Sequence, residues 1–65
     1  MEYSVKVSHF TVGRGFTDMY YSVEAETLSE AKHRAFRRYR LAVCPRATFK
    51  WFMENVLTSI KEESE

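Results

Sequence analysis

The sequence predicts an α+β fold, an antiparallel β-hairpin packed on one face by a basic helix. Three observations predict it. Residues 3–8 and 19–25 alternate apolar and polar side chains with strand period, and the chain's two glycines, Gly13 and Gly15, lie between them. From Thr27 the pattern changes to a helical period. The sequence Thr27-Leu28-Ser29-Glu30 fits a helix-capping box at that point. Strand, capped turn and helix follow one another without a gap from Tyr20 to Arg40, and the rest of the chain is arranged about that unit.

In the first strand Tyr3, Val5 and Val7 alternate with Ser4, Lys6 and Ser8; in the second, Met19, Tyr21, Val23 and Ala25 alternate with Tyr20, Ser22 and Glu24. Glycine tolerates positive φ, so Gly13-Arg14-Gly15 is the expected hairpin tip. A three-residue loop there pairs Val12 with Phe16, which sets Tyr3 opposite Ala25, Val5 opposite Val23 and Val7 opposite Tyr21. Inward residues then meet inward partners, and a one-residue slip would break the match.

The helix is expected over residues 28–42. At 100° per residue Leu28, Ala31, Ala35, Phe36, Tyr39, Ala42 and Val43 share one face, and the central alanines suit close approach to a sheet. His33, Arg34, Arg37 and Arg40 lie opposite, flanked by Lys32 and Arg38. Pro45 stops the helix, because the residue before a proline disfavours the α region. A second helix starts near residue 48 with Thr48 as its cap. Its course beyond Asn55 has two readings. Phe49, Phe52, Met53, Val56, Leu57 and Ile60 fit one helical face running on to about Lys61. The β-branched stretch from Val56 to Ile60, with Asn55 as a left-handed cap, fits a third strand at 56–62 beside the first. A two-stranded hairpin is a weak platform by itself, which favours β-β-α-α-β. Residues 61–65 form an acidic tail expected to fray, and the whole is one small domain.

The net charge of +1 hides strong segregation. Residues 1–31 carry −3, residues 32–50 carry +7 and residues 51–65 carry −3. The basic block is either a solvated helix face or a surface for an anionic partner. One cysteine, Cys44, makes no internal disulfide, and no apolar run reaches the length of a membrane span. The expectation is a cytoplasmic protein with no signal peptide and no membrane partner.

The residues that carry chemistry are dispersed. His9, His33 and Cys44 fall on different elements, without metal-ligand spacing, so neither a metal nor a cofactor is expected. Gly13-Arg14-Gly15 is too short and too far from a helix start to cradle phosphate. No enzymatic activity is expected. Two candidate surfaces remain. One face of the hairpin presents Phe10, Val12, Phe16 and Tyr20 with Lys6, Asp18 and Glu24, and the helix covers only the other face. As a protein-binding site it uses Phe10, Phe16 and Tyr20 as anchors, with Arg37 and Arg40 steering the partner. The alternative is a nucleic-acid surface of Lys32, Arg34, Arg37, Arg38, Arg40, Arg46 and Lys50. A homodimer through the hairpins is compatible with either.

The stretch VEAETLSEAKHRA, from Val23 to Ala35, resembles very small phage-encoded proteins in which a strand ending in E-A-E leads through a capped turn to a helix packed on an antiparallel sheet. Among these it is similar to small anti-CRISPR proteins acting on the type I-F surveillance complex. TFKWFMENVLTSIKE also looks like the tail of uncharacterised phage proteins. The resemblance covers about a fifth of the chain over Val23–Ala35 and carries over no functional residue. It implies a phage protein in a bacterial cytoplasm that inhibits a host protein or ribonucleoprotein complex by stoichiometric binding.

Overall fold

The computed structural model describes residues 1–63 and has the expected α+β architecture. Strands β1 (Glu2–Thr11) and β2 (Gly15–Glu24) form the hairpin. Helices α1 (Leu28–Ala42) and α2 (Phe49–Asn55) follow, and β3 (Leu57–Glu63) returns to the sheet. The sheet is antiparallel in the order β2-β1-β3, so the first strand is central. Of the two readings of residues 56–62, the strand forms, and it satisfies the second edge of β1. Lys61, Glu62 and Glu63 pair with Ser4, Tyr3 and Glu2 and are part of that strand, not of a frayed tail. Ser64 and Glu65 lie outside the described residues.

The hairpin register differs from the expected one by two residues. Tyr3 faces Val23, Val5 faces Tyr21, Val7 faces Met19 and Phe10 faces Phe16. The reason lies in the turn. The Arg14 amide donates to the Thr11 carbonyl at 3.0 Å, which makes Gly13 the third residue of the turn, where φ is +91°. A turn with positive φ at its third position requires glycine there. Gly15, at φ +78°, then closes the loop opposite Thr11. A two-residue shift preserves which side chains share a face, so the inward and outward sets are those expected. On the other side of β1, Lys6 faces Ser59 while Val7 faces Leu57, which leaves Thr58 as an extra, bulged residue of β3.

Thr27 caps α1 from an extended conformation, its Oγ1 accepting the Glu30 amide at 3.1 Å. The reciprocal half of the capping box does not form. The Glu30 carboxylate instead accepts from Nε of Arg34 at 2.9 Å, with Nη2 in ion-pair contact with the same oxygen at 2.9 Å. A charge-assisted bond one turn along outcompetes a neutral amide. Thr48 caps α2 in the same way, accepting the Trp51 amide at 3.2 Å. Asn55 is not a left-handed cap, since no described residue other than glycine has positive φ. It is the last helical residue, its amide side chain donating to the Trp51 carbonyl at 3.2 Å.

Tyr3, Val5, Val7, Val23 and Ala25 from the hairpin meet Ala31, Ala35 and Tyr39 of α1, with Ala47, Phe52 and Val56 closing the core. Ala31 and Ala35 are wholly buried, as close helix–sheet contact demands. Leu28 and Ala42, expected on the buried face, are exposed, because the sheet covers only the middle turns of α1. Tyr39 sits where three elements meet. Its hydroxyl is 2.7 Å from His9 Nδ1 on β1, and its ring lies 5.4 Å from that of Phe52 on α2. Burial raises the Tyr39 pKa above its ordinary value, with Cys44 and Tyr21 adding to the effect. Burial also raises that of Tyr21, against the opposing pull of Arg38.

Thr27→Ala should cost about 1 kcal/mol, a fall in Tm of roughly 4–8 °C in a domain of this size, read by calorimetry. Phe52→Ala, which empties a fully buried site, should cost about 3–5 kcal/mol and leave little folded protein in urea titrations. A tyrosine pKa raised by folding means that the unfolded chain loses its proton first. Stability should therefore be intact below the ordinary value of 10.0 and fall as pH rises above it. Urea unfolding between about pH 8 and about pH 11 should show a shallower decline for Tyr39→Phe than for the parent.

Candidate functional site

The helices cover one face of the sheet, and the even-numbered residues of β1 and β2 point away from them. This outer face is graded along the strands. At the hairpin tip Phe10 and Phe16 are cross-strand partners, their rings 5.2 Å apart at 67°, the edge-to-face geometry that aromatic pairs prefer. Both are exposed, at 54% and 69%, as is Tyr20 at 67%. Next comes a polar chain: Thr58 Oγ1 donates to Ser8 Oγ at 3.1 Å, and Ser8 donates to Asp18 Oδ1 at 2.6 Å. Lys6 Nζ lies 3.8 Å from Asp18 Oδ2. At the far end Glu24, Glu2 and Glu63 form one cross-strand row. The face thus runs from the Phe10–Phe16 pair, through the Ser8–Asp18 row and the Lys6–Tyr20 row, to an acidic end.

The second surface is the solvent side of α1. Its arginines are held by short-range bonds. Arg34 donates through Nε to Glu30 and is ion-paired with it, and Arg38 Nη1 donates to the Ser22 carbonyl at 2.9 Å. Arg40 donates through Nε and Nη2 to the Pro45 carbonyl at 3.2 and 3.0 Å, and stands 5.6 Å from the centre of the Phe36 ring. Arg37 has no hydrogen-bond or ion-pair partner among the described residues. Two hollows flank it. One, of about 400 Å³, lies between α1 and the end of β2, and its lining includes Val23, the carboxylates of Glu24 and Glu30, and Arg34, Arg37 and Arg38. The other, of about 460 Å³, has Phe36, Leu41 and Pro45 beside Arg37 and Arg40.

The structure therefore brings Phe10, Phe16 and Tyr20 onto one face, and Arg37 and Arg40 onto one hollow, but sets the two groups on opposite sides of the sheet. Of the seven basic residues of the alternative surface, Arg34, Arg37, Arg38 and Arg40 line these hollows, whereas Lys32, Arg46 and Lys50 line neither. Sequence reasoning missed Leu41, exposed at 82% beside the arginines. Its signal was a leucine lying off the apolar face of α1. It also missed the stacking of His33 on Phe49, with ring centres 4.1 Å apart and planes at 12°, which no pattern within α1 could reveal.

The chemically versatile side chains are kept apart. His9 is joined to Tyr39, His33 is stacked on Phe49, and Cys44 is a half-buried free thiol near Trp51. No group of three potential metal ligands gathers among the described residues, and no helix is long and apolar enough to cross a membrane.

Because the tip aromatics contribute no fully buried surface, Phe16→Ser should cost about 1 kcal/mol or less in urea unfolding, the value of an exposed edge-to-face pair. A larger loss would mean that Phe16 belongs to the core. Comparison with protein-family models, with curated proteins and with solved structures finds no match for this chain.

Proposed function

We propose that this chain is a small non-enzymatic binding protein that inhibits a host protein or ribonucleoprotein complex by stoichiometric docking, in the manner of phage-encoded anti-CRISPR proteins. The observation that carries this reading is the set of exposed aromatic side chains on the outer sheet face, Phe10 and Phe16 at the hairpin tip and Tyr20 beyond the Ser8–Asp18 row. Large aromatic anchors dominate the binding energy of protein interfaces. Here Phe10 and Phe16 already rest against each other, so docking would freeze fewer rotamers than two independent side chains would lose. The graded outer face also argues against a face-to-face homodimer. A two-fold axis across the strands would lay the aromatic end of one copy on the Glu2, Glu24 and Glu63 row of the other, and an axis along the strands would lay that row on itself; neither pairs its carboxylates with cations.

Tagged protein incubated with bacterial lysates and with purified type I-F surveillance complex is the test. The parent should retain a partner in equimolar amount, and the Phe10→Ser, Phe16→Ser, Tyr20→Ser triple variant should lose it at least tenfold while remaining folded. Retention unchanged by the triple variant would overturn the reading. A salt series with labelled duplex DNA and RNA tests the alternative. Nucleic-acid binding through Arg34, Arg37, Arg38 and Arg40 would weaken steeply with salt and equally for all sequences.

A further inference from the structure

The outer edge of β2 is a hydrogen-bonding ladder on which no strand lies and whose Ser22 carbonyl alone accepts a side chain, from Arg38, among the described residues; its orientation can be fixed residue by residue. The Ala25 amide donates to the Met1 carbonyl, and the Ser8 amide donates to the Val56 carbonyl. Odd-numbered residues of β2 thus direct their backbone groups toward β1, while even-numbered residues of β1 serve β3. Backbone direction alternates along a strand. The amides and carbonyls of Phe16, Asp18, Tyr20 and Ser22 therefore point out of the sheet at the free edge. Arg38 confirms the direction at one end, since its Nη1 reaches the Ser22 carbonyl from outside the hairpin.

The two edges of this sheet are protected unequally. Natural edge strands are guarded by shortness, bulges, lysine, proline or charge. The β3 edge has seven residues, a bulge at Thr58, and Lys61, Glu62 and Glu63 along its end. The β2 edge has ten residues, GFTDMYYSVE, with no lysine or proline, and it pairs with β1 without an irregularity. Its one mid-strand charge, Asp18, is bound to Ser8 and Lys6 of β1. This edge is also a place where the two candidate surfaces meet. Phe16 and Tyr20 flank it on the outer side, and Arg34, Arg37 and Arg38 flank its Val23 end on the helix side.

We propose that β2 takes up an extended segment of a partner protein as a fourth strand, resting on the protein-binding reading above and specifying its partner. The flanks dictate the chemistry of that segment. Residues opposite Phe16 and Tyr20 share the outer face and are apolar or aromatic. Residues opposite Tyr21 and Val23 fall on the helix side, where Arg37 has no partner among the described residues, and are acidic. A second copy is a poor occupant. Its own β2 would bring Thr17, Met19, Tyr21 and Val23 to the helix side, with no carboxylate among them.

The test is amide hydrogen exchange by NMR on the intact chain, alone and with a capped peptide of ten residues that alternates glutamate with valine and tyrosine. In the free protein the amides of Phe16, Asp18, Tyr20 and Ser22 should exchange at least tenfold faster than those of Thr17, Met19, Tyr21 and Val23. Saturating peptide should slow the first set at least tenfold. Methylating the peptide nitrogens that face β2 should abolish that protection, and methylating the alternate ones should not. Arg37→Glu with Arg38→Glu should weaken the peptide at least tenfold, and a lysine-for-glutamate peptide should not bind. Fast exchange of the four amides at millimolar peptide overturns the strand addition. So does protection that grows with protein concentration alone, which would make a second copy the occupant. If the captured partner depends on Phe10, Phe16 and Tyr20 while these amides stay unprotected, docking on the outer face stands and strand addition falls. Capture that is indifferent to the aromatics removes the protein-binding reading itself.

Discussion

The fold depends on the burial of Tyr39. A small chain buries a limited fraction of its surface and has no spare core to lose. Tyr39 is wholly enclosed, yet it carries a hydroxyl that must be satisfied. His9 supplies the partner from β1, while Phe52 and Trp51 of α2 lie against the ring. One side chain of α1 thereby fixes the helix against the sheet and seats α2 beside both. Ala31 and Ala35 on the same face allow the close approach that this requires. With α2 seated, Val56 is buried and β3 begins at Leu57 in reach of β1.

From that constraint the free surfaces follow. The helices occupy one side of a three-stranded sheet, so the other side is bare. The basic side chains of α1 cannot turn inward, and they settle on the nearest acceptors: Glu30, the Ser22 carbonyl and the Pro45 carbonyl. These bonds use part of each guanidinium's donor set and leave the remainder facing solvent in a fixed position. The arrangement is more ordered than a bare count of charges suggests, and Arg37 is the arginine of α1 that has no such bond among the described residues.

Much of the architecture was legible because its causes are local. The period of Tyr3, Val5 and Val7, the threonine caps at Thr27 and Thr48, and the β-branched run after Asn55 each act over a few residues. The hairpin register was not legible, because Gly13 and Gly15 permit two turns that differ by two residues and keep the same faces. The broken capping box had a similar origin, since Arg34 competes for Glu30 and the cap sequence does not include it. Leu28 and Ala42 have the right helical phase, but phase does not say how many turns the sheet covers. For the surfaces, the pattern placed the aromatic groups on the sheet face that the helix leaves bare and the arginines on the helix, but not the bonds of Arg38 to the Ser22 carbonyl and of Arg40 to the Pro45 carbonyl. Those bonds come from the packing of α1 against β2 and from the course of the chain after α1, which no pattern within the helix contains.

The long hairpin gives the molecule extents of 39 × 21 × 18 Å and carries its tip away from the buried cluster. Phe10, Val12 and Phe16 therefore share almost no contacts with the residues that determine folding. Substitutions at the tip are insulated from substitutions in the core, in the sense that their energetic effects should add without coupling. A lineage of such chains could exchange one set of tip residues for another, generation after generation, without first acquiring stabilising changes elsewhere. Recognition can drift quickly on a scaffold whose own requirements stay constant.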